Sequence, residues 1–321
     1  MITAMKQKLI SVPTPMAGLA LAIASLGWCW ESMFNLSGYG QWISAAIASG
    51  LLIMLILKNG LHWNLLKQDL AHPVIGSVIP TFAMAMMIIS NSIHQFNPIM
   101  GDLLWLLGVV LHIIFMGSFF YHRSKQFKLH HMLPSWFVPP VGIIVADVSF
   151  AGNPILLPIA QAALIFGLIS YAVLLPTMIY RVLFSENIPH LAQPTIAILA
   201  APASLSLAGY LTVSQTNSPV IIGILFGIAV LMTFITYLAL FKLLTLPFSP
   251  GFAAFTFPTV ISATALFKMA TWMQSVNVAD EYVMQIQGLA KFELVIATVI
   301  VSYVAIRYMN FFFPKKRMLT E

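Results

Sequence analysis

The side chains that could carry chemistry are few and scattered. The 321 residues hold 15 Lys and Arg, 9 Asp and Glu, 8 His and one Cys. His112 and Asp147 stand alone in apolar runs, and Glu31, Lys291 and Glu293 lie near the ends of others. His130 and His131 adjoin Lys128 at a loop end, where they are expected to face the aqueous interface or lipid headgroups rather than hold a metal. No HExxH, GxSxG or phosphate-cradling glycine loop occurs. Cys29 can form no intrachain disulfide and is read as packing. Catalysis needs such groups in a cluster, so the expectation is a protein that is not an enzyme and has no metal and no cofactor. What remains is AAFTFPTVISATALFKM, residues 253–269, where Phe255 and Phe257 precede Pro258 and Lys268 follows. Rings can block a passage, proline frees backbone polar groups, and a cation attracts anions.

The elements that must position these residues follow from composition. Hydrophobic residues make up 60% of the chain and charged residues 7%, with a mean hydropathy of +0.93. Soluble domains carry about a quarter charged residues. A bilayer core about 30 Å thick needs about 20 apolar residues per helix. Such runs recur at 14–34, 39–57, 73–93, 99–121, 133–150, 155–180, 194–213, 219–241, 251–273 and 284–312. The reading is one all-α integral membrane domain, 1–321, with ten spans in contact with the lipid bilayer.

The net charge of +6 could suggest nucleic acid, but the positions of the basic residues mark sidedness instead. Lys6 and Lys8 precede the first run. Lys58, Lys67, Arg123, Lys125, Lys128, Arg181 and Lys242 fall between even and odd runs, and Arg307, Lys315, Lys316 and Arg317 close the chain. Only Lys268 and Lys291 lie toward the other side. The positive-inside rule then predicts a multi-pass inner (cell) membrane protein with both termini cytoplasmic, which requires an even number of spans. The first run could imitate a signal peptide but is read as an uncleaved helix, because cleavage would upset that parity.

Prolines reveal a repeat. Odd runs open near Pro15, Pro73, Pro134, Pro194 and Pro250, a spacing of about sixty residues. Four carry further prolines deeper in, at Pro80, Pro139 with Pro140, Pro202 and Pro258, and the first has Gly18 in a similar place. Five hairpins are therefore expected around an axis, with odd helices bent and inner and even helices outer. A proline bend exposes backbone that lipid cannot solvate, which is tolerated where it meets protein or a water-filled cavity. Prolines and small residues also simply let helices pack, but their recurrence in alternate runs favours the lining reading.

An ion-driven carrier would bury a carboxylate or an unwound coordinating segment near the midplane. Asp147 and Glu31 are expected near the outer ends of their helices, where solvation is easy, and Lys291 and Glu293 near the outer start of the tenth. The inner layer then looks nearly uncharged, as suits a passive pore. If Phe257 faces the axis, Ala253 or Ala254, Ile261, Thr264 and Lys268 share its stripe. Lys268 would lie about 20° away near the outer mouth, drawing anions or snorkelling to the interface.

Four stretches, VPTPMAGLALA, AHPVIGSVIP, ILAAPASLSLAGYL and GFAAFTFPTVISATA, resemble the TehA and plant slow anion channel family, also called the tellurite-resistance/dicarboxylate transporter family. With ten spans and positive-inside loops, the resemblance covers essentially the whole chain. It implies odd helices lining a central pore in each protomer of a homotrimer, with a phenylalanine in the ninth helix plugging the pore midway. The pattern assigns that gate to Phe257 rather than Phe255. Gly18, Pro80, Pro140, Pro202, Pro258, Ile261 and Thr264 are the expected pore lining, with Lys268 at the outer mouth. A known bacterial relative has glycine after the plug ring where this chain has Pro258, as the plant channels do, which puts transfer of gating behaviour in doubt. No long tail with clustered phosphorylation sites occurs, so kinase activation is not implied. The expected function is a channel or facilitator for small monovalent or organic acid anions. The alternative is a proton-linked carrier of malate or similar C4-dicarboxylates, or a sulfite or tellurite oxyanion exporter.

Overall fold

The computed structural model describes residues 9–125 and 127–312. Lys6, Lys8, Lys315, Lys316 and Arg317 lie outside the described residues. The described chain is helical, and nine of its helices are long and apolar enough to cross a membrane. They are α1 (Met16–Phe34), α2 (Tyr39–Leu61), α3 (Ile75–His94), α4 (Pro98–Ser124), α6 (Leu157–Phe184), α7 (His190–Val213), α8 (Pro219–Leu243), α9 (Pro250–Ser275) and α10 (Asp280–Phe312). A short helix, Trp63–Ala71, links α2 to α3.

The tenth expected span differs. The stretch α5 (Pro134–Val148) is shorter than the others and broken into pieces: 3-10 turns at Pro134–Phe137 and Gly142–Ile144 alternate with α-helical turns at Val138–Val141 and Val145–Val148. Pro139 and Pro140 remove two adjacent N–H donors, so a continuous ladder of i to i−4 bonds cannot run through this stretch.

The deep prolines of the other odd helices sit at helix starts rather than in mid-helix. In α7 a 3-10 stretch, His190–Ala200, gives way to α-helix at Ala201–Val213, and Pro202 lies in its first turn. In α9 the change falls between Pro250–Phe255 and Thr256–Ser275, with Pro258 as the third α-helical residue. Pro80 caps Thr81–His94 in α3. A first-turn N–H has no intrahelical acceptor, so proline there sacrifices no bond, and its fixed φ suits the helix. The helix α1 carries no interior proline and runs unbroken from Met16.

Packing separates two layers. Over an apolar stretch of 18 residues in each helix, buried residues make up 72%, 78% and 78% in α3, α7 and α9, and 50% in α1, against 28% to 39% in the even helices. The odd segments touch one another in a closed ring, α1 to α3 to α5 to α7 to α9 and back to α1, and each even helix packs on the odd segment before it. Glycines permit the closest approaches. A Cβ on Gly27 of α1 would lie 2.0 Å from Ser44 Oγ and 2.2 Å from the Gly40 carbonyl of α2, so backbone contact there requires glycine.

The same tie recurs in four of the five pairs. Near the end of an even helix, a polar side chain reaches back to the start of the odd segment before it. Lys58 Nζ donates to Thr14 Oγ1 at 2.9 Å and pairs with Asp69 at 3.4 Å. Arg123 Nη2 donates to the Ala71 carbonyl at 2.5 Å, and Arg181 Nη2 to the His130 carbonyl at 3.0 Å. Tyr308 Oη donates to the Pro250 carbonyl at 2.5 Å. Three of these donors are cations already marked by the charge pattern, and the Ala71 carbonyl taken by Arg123 is the last of the linking helix, which helix geometry leaves unpaired.

Candidate permeation site

Proline at the start of each odd segment, followed by small residues, keeps the five N-terminal halves from filling the space between them. A central cavity of about 100 Å³ results, and its walls come from all five odd segments and from none of the even helices. Pro15, Gly18 and Leu21 contribute from α1, Val78, Thr81 and Met84 from α3, and Phe137, Val141 and Gly142 from α5. Pro194, Thr195 and Pro202 contribute from α7, and Ala253, Phe257 and Pro258 from α9. No lining residue lies beyond Leu21, Met84, Gly142, Leu205 and Pro258 in its segment, so the cavity belongs to the end of the molecule where odd segments begin. A second cavity of about 280 Å³, beside Thr14, Asn59 and Trp63, is bounded by α1 to α4 and the linking helix alone and lies off this ring.

The wall is weakly polar. Among the described residues, no Asp, Glu, Lys, Arg or His lines the cavity. Thr81 and Thr195 commit their hydroxyl protons to the Val78 and Ala192 carbonyls, at 2.7 and 2.6 Å. Such a wall offers an anion little direct coordination, so any selection there follows the cost of removing its water.

Of the residues expected to line a pore, Gly18, Pro202, Phe257 and Pro258 line this cavity, whereas Pro80, Pro140, Ile261, Thr264 and Lys268 are not in its wall. Ile261 and Thr264 are buried one and two turns past Phe257 on α9. Lys268 is half-buried, with Nζ 5.2 Å from the ring centre of Trp28 on α1. The two rings of the opening stretch part company. Phe255 is fully buried, 4.8 Å between centroids from Phe252, and joins an aromatic cluster through Phe248 and Tyr308. Phe257 makes no ring pair among the described residues and faces the cavity.

Three ionisable side chains depart from expectation. Asp147, expected near easy solvation, is 0% exposed, and neither carboxyl oxygen has a hydrogen-bond partner among the described residues. Because α5 is shorter and broken, its end is sunk in the ring, and the carboxyl lies against α7, where a Cβ on Gly209 would be 3.2 Å from Asp147 Cβ. Glu293, expected near the outer start of α10, is 6% exposed. It shares a helix face with Ala290 and Ala297, both 0% exposed, a stripe visible in the sequence at spacings of three and four. His112, which looked isolated, is fully buried, with Nε2 2.7 Å from the Pro139 carbonyl at the break in α5. Glu31 keeps its place near a helix end and accepts from the N–H groups of Gly38 and Gly40 at 2.8 and 3.2 Å. Those N–H groups open α2 and have no intrahelical acceptor.

The profile of the family described as voltage-dependent anion channel (SLAC1) matches residues 11–309. The chain is similar to two uncharacterized transporters of Methanocaldococcus jannaschii, 29% identical over 217 residues and 28% over 229. These alignments span 59% and 62% of this chain and 63% and 65% of the relatives, so less than two thirds of their length is matched. It is also similar to a Haemophilus influenzae protein named Tellurite resistance protein TehA homolog, 23% identical over 242 residues and 70% of each chain.

Proposed function

From the premise that the chain belongs to the voltage-dependent anion channel family, we propose that it passes small monovalent or organic acid anions through the central cavity, with the ring of Phe257 as a steric gate. The observation that carries this reading is the cavity itself: five odd segments surround it, no charged side chain lines it among the described residues, and its wall extends no further along α9 than Phe257 and Pro258. A ring at the narrowest point stops even a small dehydrated ion. Rotamer flips are fast by themselves, so slow opening requires the packing around Phe257 to hold the ring.

Past the gate, the proposed path follows Ile261 and Thr264 along α9 to Lys268. With the gate shut these residues are packed, and a path there requires the inner segments to move apart. Pro80 and Pro140 act in this reading through the segment shapes that leave the cavity open. The protein is proposed to be an inner-membrane homotrimer with both termini cytoplasmic, in keeping with the basic residues gathered where odd segments begin. Purified protein in liposomes is expected to conduct chloride and nitrate ahead of more strongly hydrated anions such as sulfite. No anion current from assembled protein would overturn the reading.

A second reading is favoured by one observation. Asp147 is a fully buried carboxyl on an odd segment with no partner among the described residues, the feature expected of a proton-linked carrier of malate or a related dicarboxylate, or of an oxyanion exporter. Saturable malate or sulfite uptake that follows an imposed pH gradient would favour it over the channel.

A further inference from the structure

Glu293 differs from Asp147 in facing a space of its own. Where α7, α8, α9 and α10 meet, a cavity of about 10 Å³ is lined by Ser204, Thr233, Ser262 and Glu293, close to the smallest volume that holds one water. Glu293 is 6% exposed, and its Oε2 is buried with no hydrogen-bond partner among the described residues. The hydroxyls around it form a partial network. Ser262 donates to the Pro258 carbonyl at 2.9 Å and meets Thr233 Oγ1 at 3.0 Å, and Ser204 donates to the Ala200 carbonyl at 3.0 Å. Their remaining lone pairs can accept from an acid proton or a water.

Among the described residues, no cation pairs with this carboxyl. The described ion pairs, Lys58 with Asp69 and His94 with Asp102, lie elsewhere. The titratable groups that face Glu293 from packed elements are the thiol of Cys29 on α1 and the hydroxyl of Tyr237 on α8. Lys268 on α9 is turned to the Trp28 ring, and Lys291 on α10 to the Phe34 ring. A buried, unpaired carboxylate is strongly disfavoured, whereas the neutral acid needs only an acceptor for its one proton. The site touches the gate helix, since Ser262 lies five residues after Phe257 and bonds to the carbonyl of Pro258.

We propose that Glu293 is a proton-binding site, whose neutral carboxyl shares a hydrogen-bonded water with Ser204, Thr233 and Ser262 and so ties α10 to the helix that carries Phe257. Losing the proton leaves a buried charge with no cation paired to it among the described residues, and relieving it requires water to enter between α9 and α10. The consequence for flux rests on the anion-pathway reading, but the proton site itself does not.

Infrared difference spectra of the full chain in lipid, recorded against pH, test the site. A protonated-carboxyl stretching band is expected that vanishes in Glu293→Gln, persists in Asp147→Asn, and moves in Ser204→Ala and Thr233→Val. A band unaffected by Glu293→Gln overturns the proposal, as does a band unmoved by both hydroxyl substitutions. The hydroxyl variants keep the test decisive if Glu293→Gln fails to assemble. In liposomes, anion flux is expected to lose its pH-dependent transition in Glu293→Gln. Flux with the wild-type pH dependence in that variant overturns the link to the gate. Absence of flux from wild type overturns the anion pathway and leaves the spectroscopic result standing.

Discussion

Phe255 and Phe257 stand two residues apart on α9 and meet different surroundings: Phe255 packs on Phe252 with centroids 4.8 Å apart, while Phe257 lines the central cavity. The difference arises where the 3-10 turn of Pro250–Phe255 becomes α-helix at Thr256. Phe257→Ala is expected to raise anion conductance in planar bilayers, since the removed ring borders the central cavity. Phe255→Ala removes a fully buried ring and is expected to cost about 3–5 kcal/mol without opening the pathway. Unchanged conductance in assembled Phe257→Ala would remove the gate.

Gly18 lines the cavity where α1 packs directly against α9. A Cβ there would lie 3.5 Å from Ala253 Cβ and 4.0 Å from Thr81 Oγ1, both ordinary contacts. Gly18→Ala is therefore expected to fold normally, and Gly18→Val to reduce the current of Phe257→Ala by narrowing the same space. Equal single-channel currents with and without the valine would show that ions take another route.

Arg181 is 1% exposed, and its guanidinium holds the carbonyls of Glu186 and His130 at 2.6 and 3.0 Å. Charge-assisted bonds of this kind contribute about 1.5–3 kcal/mol each, and losing the donor leaves carbonyls unpaired. Arg181→Met is expected to lower the melting temperature in detergent more than Lys242→Met, because Lys242 is exposed.

His72 accepts the N–H groups of Val74 and Ile75 on Nδ1, both at 3.2 Å, just before α3 begins. Burial lowers its pKa below the ordinary 6.5, opposed by Asp69 and aided by Arg123. The folded state therefore favours the neutral ring. That contribution is present above 6.5 and is lost as pH falls, because protonation removes the acceptor. The stability difference between wild type and His72→Asn, whose amide oxygen can still accept, is expected to shift against wild type as pH drops below 6.5. A difference that stays constant from pH 7.5 to 5 would refute this.

Lys268 is half-buried beside Trp28, and its cation sits 5.2 Å from that ring. Lys268→Met is expected to reduce the preference for anions over cations, read as a shift of reversal potential in a salt gradient. A reversal potential that does not move would leave the lysine a packing role alone.

The layering was readable because lipid imposes it. Runs such as LLIMLIL and IIGILFGIAVLMTFI belong to α2 and α8, largely exposed on their outer faces, and the proline-bearing runs to the inner ring. The burial of Glu293 was also available, since Ala290 and Ala297 mark its face of α10. The burial of Asp147 was not, because every residue from Pro134 to Val148 is buried and no stripe distinguishes one side of α5.

The sequence by itself determined a membrane protein, the alternation of its helices, the sixty-residue spacing of its prolines and the side on which its cations gather. These are properties of composition and local backbone chemistry, because an apolar run must be helical in lipid and a proline must start or break a helix. Tertiary structure decided which ring lines the central cavity, that the deep prolines of α3, α7 and α9 begin helices instead of bending them, and that two carboxyls are buried. Those outcomes depend on where each segment changes from 3-10 to α-helix and on which neighbour covers it. Contacts between segments roughly fifty or more residues apart, such as Tyr308 with Pro250, set both.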